Sequence, residues 1–217
     1  MGADRAVLFA NGELRSVAFV ERLLEPEDFL IAVDGGSRHM QALRRRPDLL
    51  IGDLDSIDPQ ERESLGAQGV ESVVFPVHKD QTDLELALDY AIAHGFGRIL
   101  VIAPFGGRLD QTLANIALLR YPGLEDRQMR LDDGVQEALL IRDKTELDGQ
   151  VGDVLSLLPL DGDVSGVSTE GLRYPLRHET LFAHRTRGIS NVFSSDRASV
   201  SAGDGCLLCI HTRRLPS

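Results

Sequence analysis

Aspartates with glycines or a cation close by follow four apolar runs in the first half of the chain. The segments are Asp34-Gly35-Gly36, Gly52-Asp53-Leu54-Asp55-Ser56, His78-Lys79-Asp80-Gln81-Thr82-Asp83 and Phe105-Gly106-Gly107-Arg108-Leu109-Asp110, and Asn11-Gly12 follows an earlier run. Carboxylates brought together repel one another unless a cation neutralises them. A hard divalent ion with oxygen ligands does this, and magnesium suits a site shared with phosphates. In Asp53-Leu54-Asp55, alternating side chains of an extended segment can flank one ion. Asp80 and Asp83 stand at a helix start, where aspartate also serves as a cap. Thr82 already fills the capping role, which turns Asp83 towards metal. Asp110 can cap the helix that follows it. Lys79 and Arg108 are the cations among these acids, and the glycines let backbone come close. No Walker A segment, G-x-G-x-x-G or G-x-S-x-G is present. The residues alone therefore read as metal-assisted phosphoryl transfer, with the acceptor open.

The elements that must position these loops are short strands and crossover helices. Strand-like runs at 6–10, 29–33, 49–51, 72–75 and 99–103 alternate with helical patterns, which is the mark of a parallel sheet. Ligands of such sheets bind beyond the carboxyl ends of the strands, so all five loops are expected on one edge. Asp58-Pro59-Gln60-Glu61 predicts a helix start with a cap, a proline and a glutamate three residues on. Thr82-Asp83-Leu84-Glu85 repeats the capping box for a helix running to about His94 and stopped by Gly95. A third helix is expected from near Asp110, with Leu113, Ile116 and Ala117 turned inward. After about Asp132, β-type runs at 138–141, 154–158, 164–169, 198–201 and 206–211 are broken by Asp-Gly turn signals. This tail predicts a small antiparallel sandwich or half-barrel. The expected division is 1–132 and 133–217.

The 217 residues fit one large or two small domains, and 42% hydrophobic residues are ample for a core. The net charge of -11 repels nucleic acid and anionic membranes alike. No apolar run approaches the about 20 residues that span a bilayer, and Met1-Gly2-Ala3-Asp4-Arg5 lacks a signal-peptide plan. A cytoplasmic protein is expected. Cys206 and Cys209 lie three apart on a presumptive strand and so point to opposite faces, which argues for structural cysteines with at least one in the core. The six histidines show no metal-ligand spacing.

Taken in order, Asp34-Gly35-Gly36, Gly52-Asp53-Leu54-Asp55-Ser56-Ile57, Lys79-Asp80-Gln81-Thr82-Asp83-Leu84-Glu85 and Gly106-Gly107-Arg108-Leu109-Asp110-Gln111, followed by Asn115, resemble the thiamine pyrophosphokinase family. Thr169-Glu170-Gly171-Leu172-Arg173-Tyr174-Pro175-Leu176 and Gly188-Ile189-Ser190-Asn191 look like that family's thiamine-binding domain. The resemblance runs from Asp34 nearly to the end. It implies a Rossmann-like α/β catalytic domain with a parallel sheet, followed by a β-sandwich. It implies transfer of pyrophosphate from ATP to the thiamine hydroxyl with Mg2+, in a homodimer whose acceptor site joins two chains. A pyrophosphokinase for another hydroxymethyl heterocycle, such as a pterin, is the nearest alternative, and a non-catalytic thiamine- or nucleotide-binding protein is the other. The resemblance assigns Asp53, Asp55 and Asp83 to magnesium and Asp34 to the edge of that site. Lys79 and Arg108 would stabilise charge on the transferring group. Asp80, Gln81, Thr82, Gly106, Gly107, Asp110 and Asn115 would help hold the nucleotide or acceptor. Ser190 and Asn191 would contact the aminopyrimidine of thiamine. Some relatives carry glutamine at the position of Lys79, and some stack a tryptophan on thiamine. This chain has no tryptophan, leaving Phe193 and Tyr174 as alternatives, with core packing as the competing use of each.

Overall fold

The computed structural model describes residues 3–55 and 57–214, and the chain divides into two compact units, Met1–Gly134 and Val135–Ser217. Ser56 of the acidic motif lies outside the described residues.

The first unit is built on six parallel strands: β1 Arg5–Phe9, β2 Phe29–Val33, β3 Leu49–Gly52, β4 Glu71–Val74, β5 Arg98–Ile102 and β6 Gln128–Asp132. They pair in the order β6-β5-β1-β2-β3-β4. Continuous apolar runs suit strands covered on both faces, and Ala6, Val7, Leu8 and Phe9 are fully buried. The crossover helices are α1 Val17–Leu23, α2 Ser37–Ala42, α3 Pro59–Ala67, α4 Asp83–Ala93 and α5 Leu109–Ala117. Local chemistry sets their starts. Asp58 accepts hydrogen bonds from the amides of Gln60 and Glu61 at α3, and Thr82 accepts from Glu85 at α4. The α4 helix buries Leu84, Ala87, Leu88 and Ala91 against β1, β2 and β3, and Gly95 beyond its end takes φ 78.

The third helix departs from expectation. Leu113 is exposed, as are Leu109 and Ala117, and Ile116 is half-buried. Periodicity identifies an apolar stripe, but which side of the helix is covered depends on tertiary packing. Asp110 does not cap this helix: Arg108 holds the cap position without a side-chain bond, and Asp110 sits in the first turn.

The second unit is a sandwich of two antiparallel sheets. Its strands are β7 Gln136–Ile141, β8 Lys144–Asp148, β9 Val154–Pro159, β10 Val164–Glu170, β11 Glu179–Leu181, β12 Asn191–Val192, β13 Arg197–Ser201 and β14 Leu207–Thr212. One sheet runs β12-β9-β14-β7 and the other β11-β10-β13-β8. Leu139, Leu155, Leu157, Val167, Phe193 and Val200 fill the space between them. Cys209 is buried on β14, whereas Cys206 precedes that strand and is half-buried; neither forms a disulfide. The Asp204-Gly205 turn ends the loop at Cys206, which shortens the strand expected from residue 206.

Candidate functional site

In the first unit, β1 to β4 extend the sheet one way and β5 and β6 extend it the other. At the carboxyl edge, where the strand order reverses, the loops after β1 and β5 stay joined, the Gly12 amide donating to the Ala103 carbonyl at 3.0 Å and the Glu13 amide to the Phe105 carbonyl at 2.6 Å. A cavity of about 590 Å3 lies there, with Asn11, Asp34, Arg38, Asp83, Arg108 and Asn115 among its walls. Thr82, Gly106 and Gly107 also line it. The Asp34-Gly35-Gly36 turn can follow β2 only because Gly36 lacks a side chain: a Cβ there would overlap the Phe9 carbonyl of β1.

Three acids converge beside this cavity. Carboxylate oxygens of Asp34, after β2, and of Asp53 and Asp55, after β3, all lie within 4.8 Å of one another. Asn11 Nδ2 donates to Asp34 Oδ2 at 3.3 Å, and the Asp55 amide donates to Asp53 Oδ1 at 3.2 Å. Asp83 is not in that trio. Its Oδ1 is sealed from solvent and lies 3.0 Å from the Lys79 ammonium, without the alignment of a hydrogen bond, so the contact is an ion pair. Lys79 also donates to the Pro76 carbonyl at 3.2 Å. Gly52 connects the two groups of acids. At φ 145, a Cβ on it would lie 3.2 Å from Asp83 Oδ1 and 3.3 Å from the Asp34 backbone.

Backbone strain gathers on this edge. Asp34, Leu54 and Ala103 have φ of 48, 59 and 53, each just past β2, β3 or β5. Side chains rarely adopt this left-handed region, and positions that do so cluster at functional sites.

The remaining expected residues are distributed unevenly. Asn115 Nδ2 donates to the Pro104 carbonyl at 2.6 Å, which fixes the loop after β5. Thr82 caps α4 and faces the cavity. Arg108 pairs with Asp110 through two hydrogen bonds on the surface. That contact raises the arginine's pKa and holds the aspartate's below the usual carboxylate range. Gln81 donates along α4 to Glu85 at 3.3 Å and Asp89 at 3.0 Å, and Asp80 is exposed. Gln81, Asp80 and Asp110 are thus not brought to the cavity wall. Sequence reasoning missed Arg38, although it lies four residues past Asp34, one helical turn inside the same motif. It noted Asn11 only as a loop residue.

In the second unit, Ser190 takes φ 59 and its amide donates to Ser156 Oγ at 3.1 Å. The Asn191 side chain is bound to backbone. Its Oδ1 accepts from the amides of Tyr174 at 3.0 Å and Val192 at 2.9 Å, and its Nδ2 donates to the Tyr174 carbonyl at 2.7 Å. A cavity of about 70 Å3 lies against Tyr174, Arg187 and Asn191. That is room for a couple of waters and not for a heterocycle. Phe193 is buried and stacks on His211 with ring centres 4.9 Å apart, so it belongs to the core; Tyr174 is 57% exposed.

Comparison with known proteins bears on both units. Residues 20–156 match the family model described as thiamin pyrophosphokinase, catalytic domain, and residues 142–207 match thiamin pyrophosphokinase, vitamin B1 binding domain. The chain belongs to the thiamin pyrophosphokinase family. It is 32% identical over 186 residues to thiamine pyrophosphokinase of Bacillus subtilis, covering 84% of this chain and 86% of that one. It is 25% identical to thiamine pyrophosphokinase 1 of Oryza sativa subsp. japonica, covering 79% of this chain and 68% of the other. The crystal structure of the Bacillus subtilis family member superposes with a TM-score of 0.86 at 27% identity, covering 97% of this chain and all 100% of that one. Thiamin pyrophosphokinase from Candida albicans has the same fold at 16% identity, with a TM-score of 0.76 over 97% of this chain and 89% of that one.

Proposed function

We propose that the chain is a thiamine pyrophosphokinase that moves the terminal pyrophosphate of ATP to the hydroxyl of thiamine. The observation that carries this reading is the trio Asp34, Asp53 and Asp55 beside a nucleotide-sized cavity at the switch point of the sheet. Family membership supplies the acceptor.

The donor set fits magnesium, because three carboxylates offer hard oxygen ligands from two strand ends within reach of one ion. Asp34, Asp53 and Asp55 would hold it, with Asp83 next to them across Gly52. Bound there, the ion would neutralise charge on the triphosphate. The protein's own part is placement and electrostatics. Thr82, Gly106, Gly107 and Asn115 shape the cavity that takes ATP. Lys79 and Arg108 supply positive charge for the transferring group once phosphate competes with Asp83 and Asp110 for them. The thiamine oxygen attacks the β-phosphorus and forms the new P–O bond. The bond from that phosphorus to the oxygen bridging it to the α-phosphorus breaks, and AMP leaves with the electron pair. The hydroxyl proton passes to solvent.

Thiamine is cationic, so a wall of carboxylates attracts it as well as the metal. The small cavity beside Asn191 supports an acceptor site completed by a second chain, with Ser190 and Asn191 at its rim. We propose a homodimer on that basis together with the family resemblance, and a cytoplasmic location for this acidic chain. The test is product analysis. Purified protein with ATP, thiamine and Mg2+ is expected to give AMP and thiamine pyrophosphate in equal amounts. ADP with thiamine monophosphate, or ATP hydrolysis indifferent to thiamine, would refute the reading.

A further inference from the structure

Among the described residues at the carboxyl edge of the first unit, two cations beside the cavity are engaged by carboxylates. Lys79 is paired with Asp83, and Arg108 with Asp110. Arg38, at the start of α2, has no carboxylate partner among the described residues. Instead, its Nη2 donates to two backbone carbonyls of the loop after β1, Asn11 at 2.8 Å and Gly12 at 2.9 Å. Both hydrogens of that nitrogen are thereby used. The carbonyls fix the plane of the guanidinium, and Nη1 keeps two N–H groups for a ligand. His39 backs this arrangement from the buried side, with Nε2 3.0 Å from the same Gly12 carbonyl. Arg38 and both loop residues line the 590 Å3 cavity.

A pin for the loop alone would need only the two carbonyl contacts. It would not need a full positive charge, facing a cavity, with donors to spare. Guanidinium groups are well suited to phosphate oxygens, with which they form charge-assisted hydrogen bonds. We propose that Arg38 grips the phosphate chain of the nucleotide in this cavity, its guanidinium aimed by the Asn11 and Gly12 carbonyls. This rests on the reading of the cavity as a nucleotide site. It adds a phosphate contact that neither Lys79 nor Arg108 provides while each is held by its own aspartate.

The test is calorimetric binding, without thiamine, of three probes to the full chain: ATP with Mg2+, inorganic tripolyphosphate, and adenosine. In R38A the dissociation constants for ATP and tripolyphosphate are expected to rise about ten- to a hundredfold, the range for a charged hydrogen bond, while that for adenosine holds. R38Q keeps an amide donor for the loop carbonyls but removes the charge, and is expected to lose phosphate affinity in the same way if R38A folds poorly. Unchanged tripolyphosphate affinity in both variants would overturn the proposal. So would adenosine weakening in step with ATP, because that is the mark of a collapsed loop. Wild-type protein that binds ATP yet makes no thiamine pyrophosphate would sink the activity and leave the Arg38 assignment standing.

Discussion

Replacing Gly52 by alanine tests whether the acidic edge is built as tightly as its geometry implies. Two costs follow from the structure. The first is conformational: at φ 145 an L side chain is strained by about 1–3 kcal/mol. The second is steric. The new Cβ would stand 3.2 Å from Asp83 Oδ1 and 3.3 Å from the Asp34 N and Cα atoms, so these must give by a few tenths of an ångström. Asp83 is tethered by Lys79, and Asp34 is backbone already in the left-handed region, so neither retreats freely. Overpacking of this kind costs about 1–3 kcal/mol. The sum of roughly 2–6 kcal/mol corresponds to a fall in Tm of about 4–24 °C for a chain of this size. Turnover should fall further, by about tenfold at saturating substrates, because the shift is applied between the acids that define the site. Gly66 is the control. It lies in α3 with nothing within 4 Å of an added Cβ, so Gly66→Ala should stabilise by about 0.5–1 kcal/mol. Thermal melts followed by circular dichroism, with thiamine pyrophosphate formation measured at 25 °C (roughly 298 K), read both effects. A Gly52→Ala chain that melts with the wild type and keeps full turnover would refute the reasoning.

Other outcomes follow from the same geometry. Asp55 is exposed, so Asp55→Asn should change stability by no more than about 0.5 kcal/mol yet lower turnover at least about a hundredfold; near-normal activity at limiting magnesium would remove it from the metal site. Burial, reinforced by the charge of Arg38 and opposed by the Gly12 carbonyl, holds the His39 pKa below its ordinary 6.5. As pH falls through the window below 6.5, the unfolded chain takes up a proton that the folded one refuses, so stability falls with pH there. Urea titrations of wild type and His39→Gln from about pH 8 to about pH 5 should show that slope only in the wild type. Asn191→Ala removes three hydrogen bonds to the Tyr174 and Val192 backbone, so we expect a loss of about 1–3 kcal/mol together with a KM for thiamine raised more than that for ATP. An effect confined to ATP would move Asn191 out of the acceptor site.

The strands and caps that carry the loops could be read from the sequence because their causes are local. Thr82 and Asp58 cap helices through amides two or three residues away, and the buried strands of the first unit are near-continuous apolar runs. The acid trio was partly legible. Strand ends put the acidic loops on one edge, but the metal set expected there was Asp53, Asp55 and Asp83, whereas Asp34 joins the first two and Asp83 pairs with Lys79. What escaped depends on neighbours far along the chain. Arg38 reaches the cavity because its partners, 26 and 27 residues earlier, follow β1. Asn191 is bound to Tyr174, 17 residues away, and no periodicity encodes that pair. Strands β8, β11 and β12 gave no signal, since they are half-polar and β11 and β12 are only three and two residues long. Leu113 was misjudged because a stripe on a helix does not say what covers it.

The left-handed residues Asp34, Leu54 and Ala103 have a consequence for engineering. Each costs about 1–3 kcal/mol relative to a relaxed backbone, a sizeable share of the 5–15 kcal/mol by which domains commonly outlast unfolding. Selection for heat resistance alone would relax these three bends first and, in doing so, turn the strand ends away from their common centre. A hardier version of this chain should be sought on helix surfaces and in the sandwich, with the three bends left as they are.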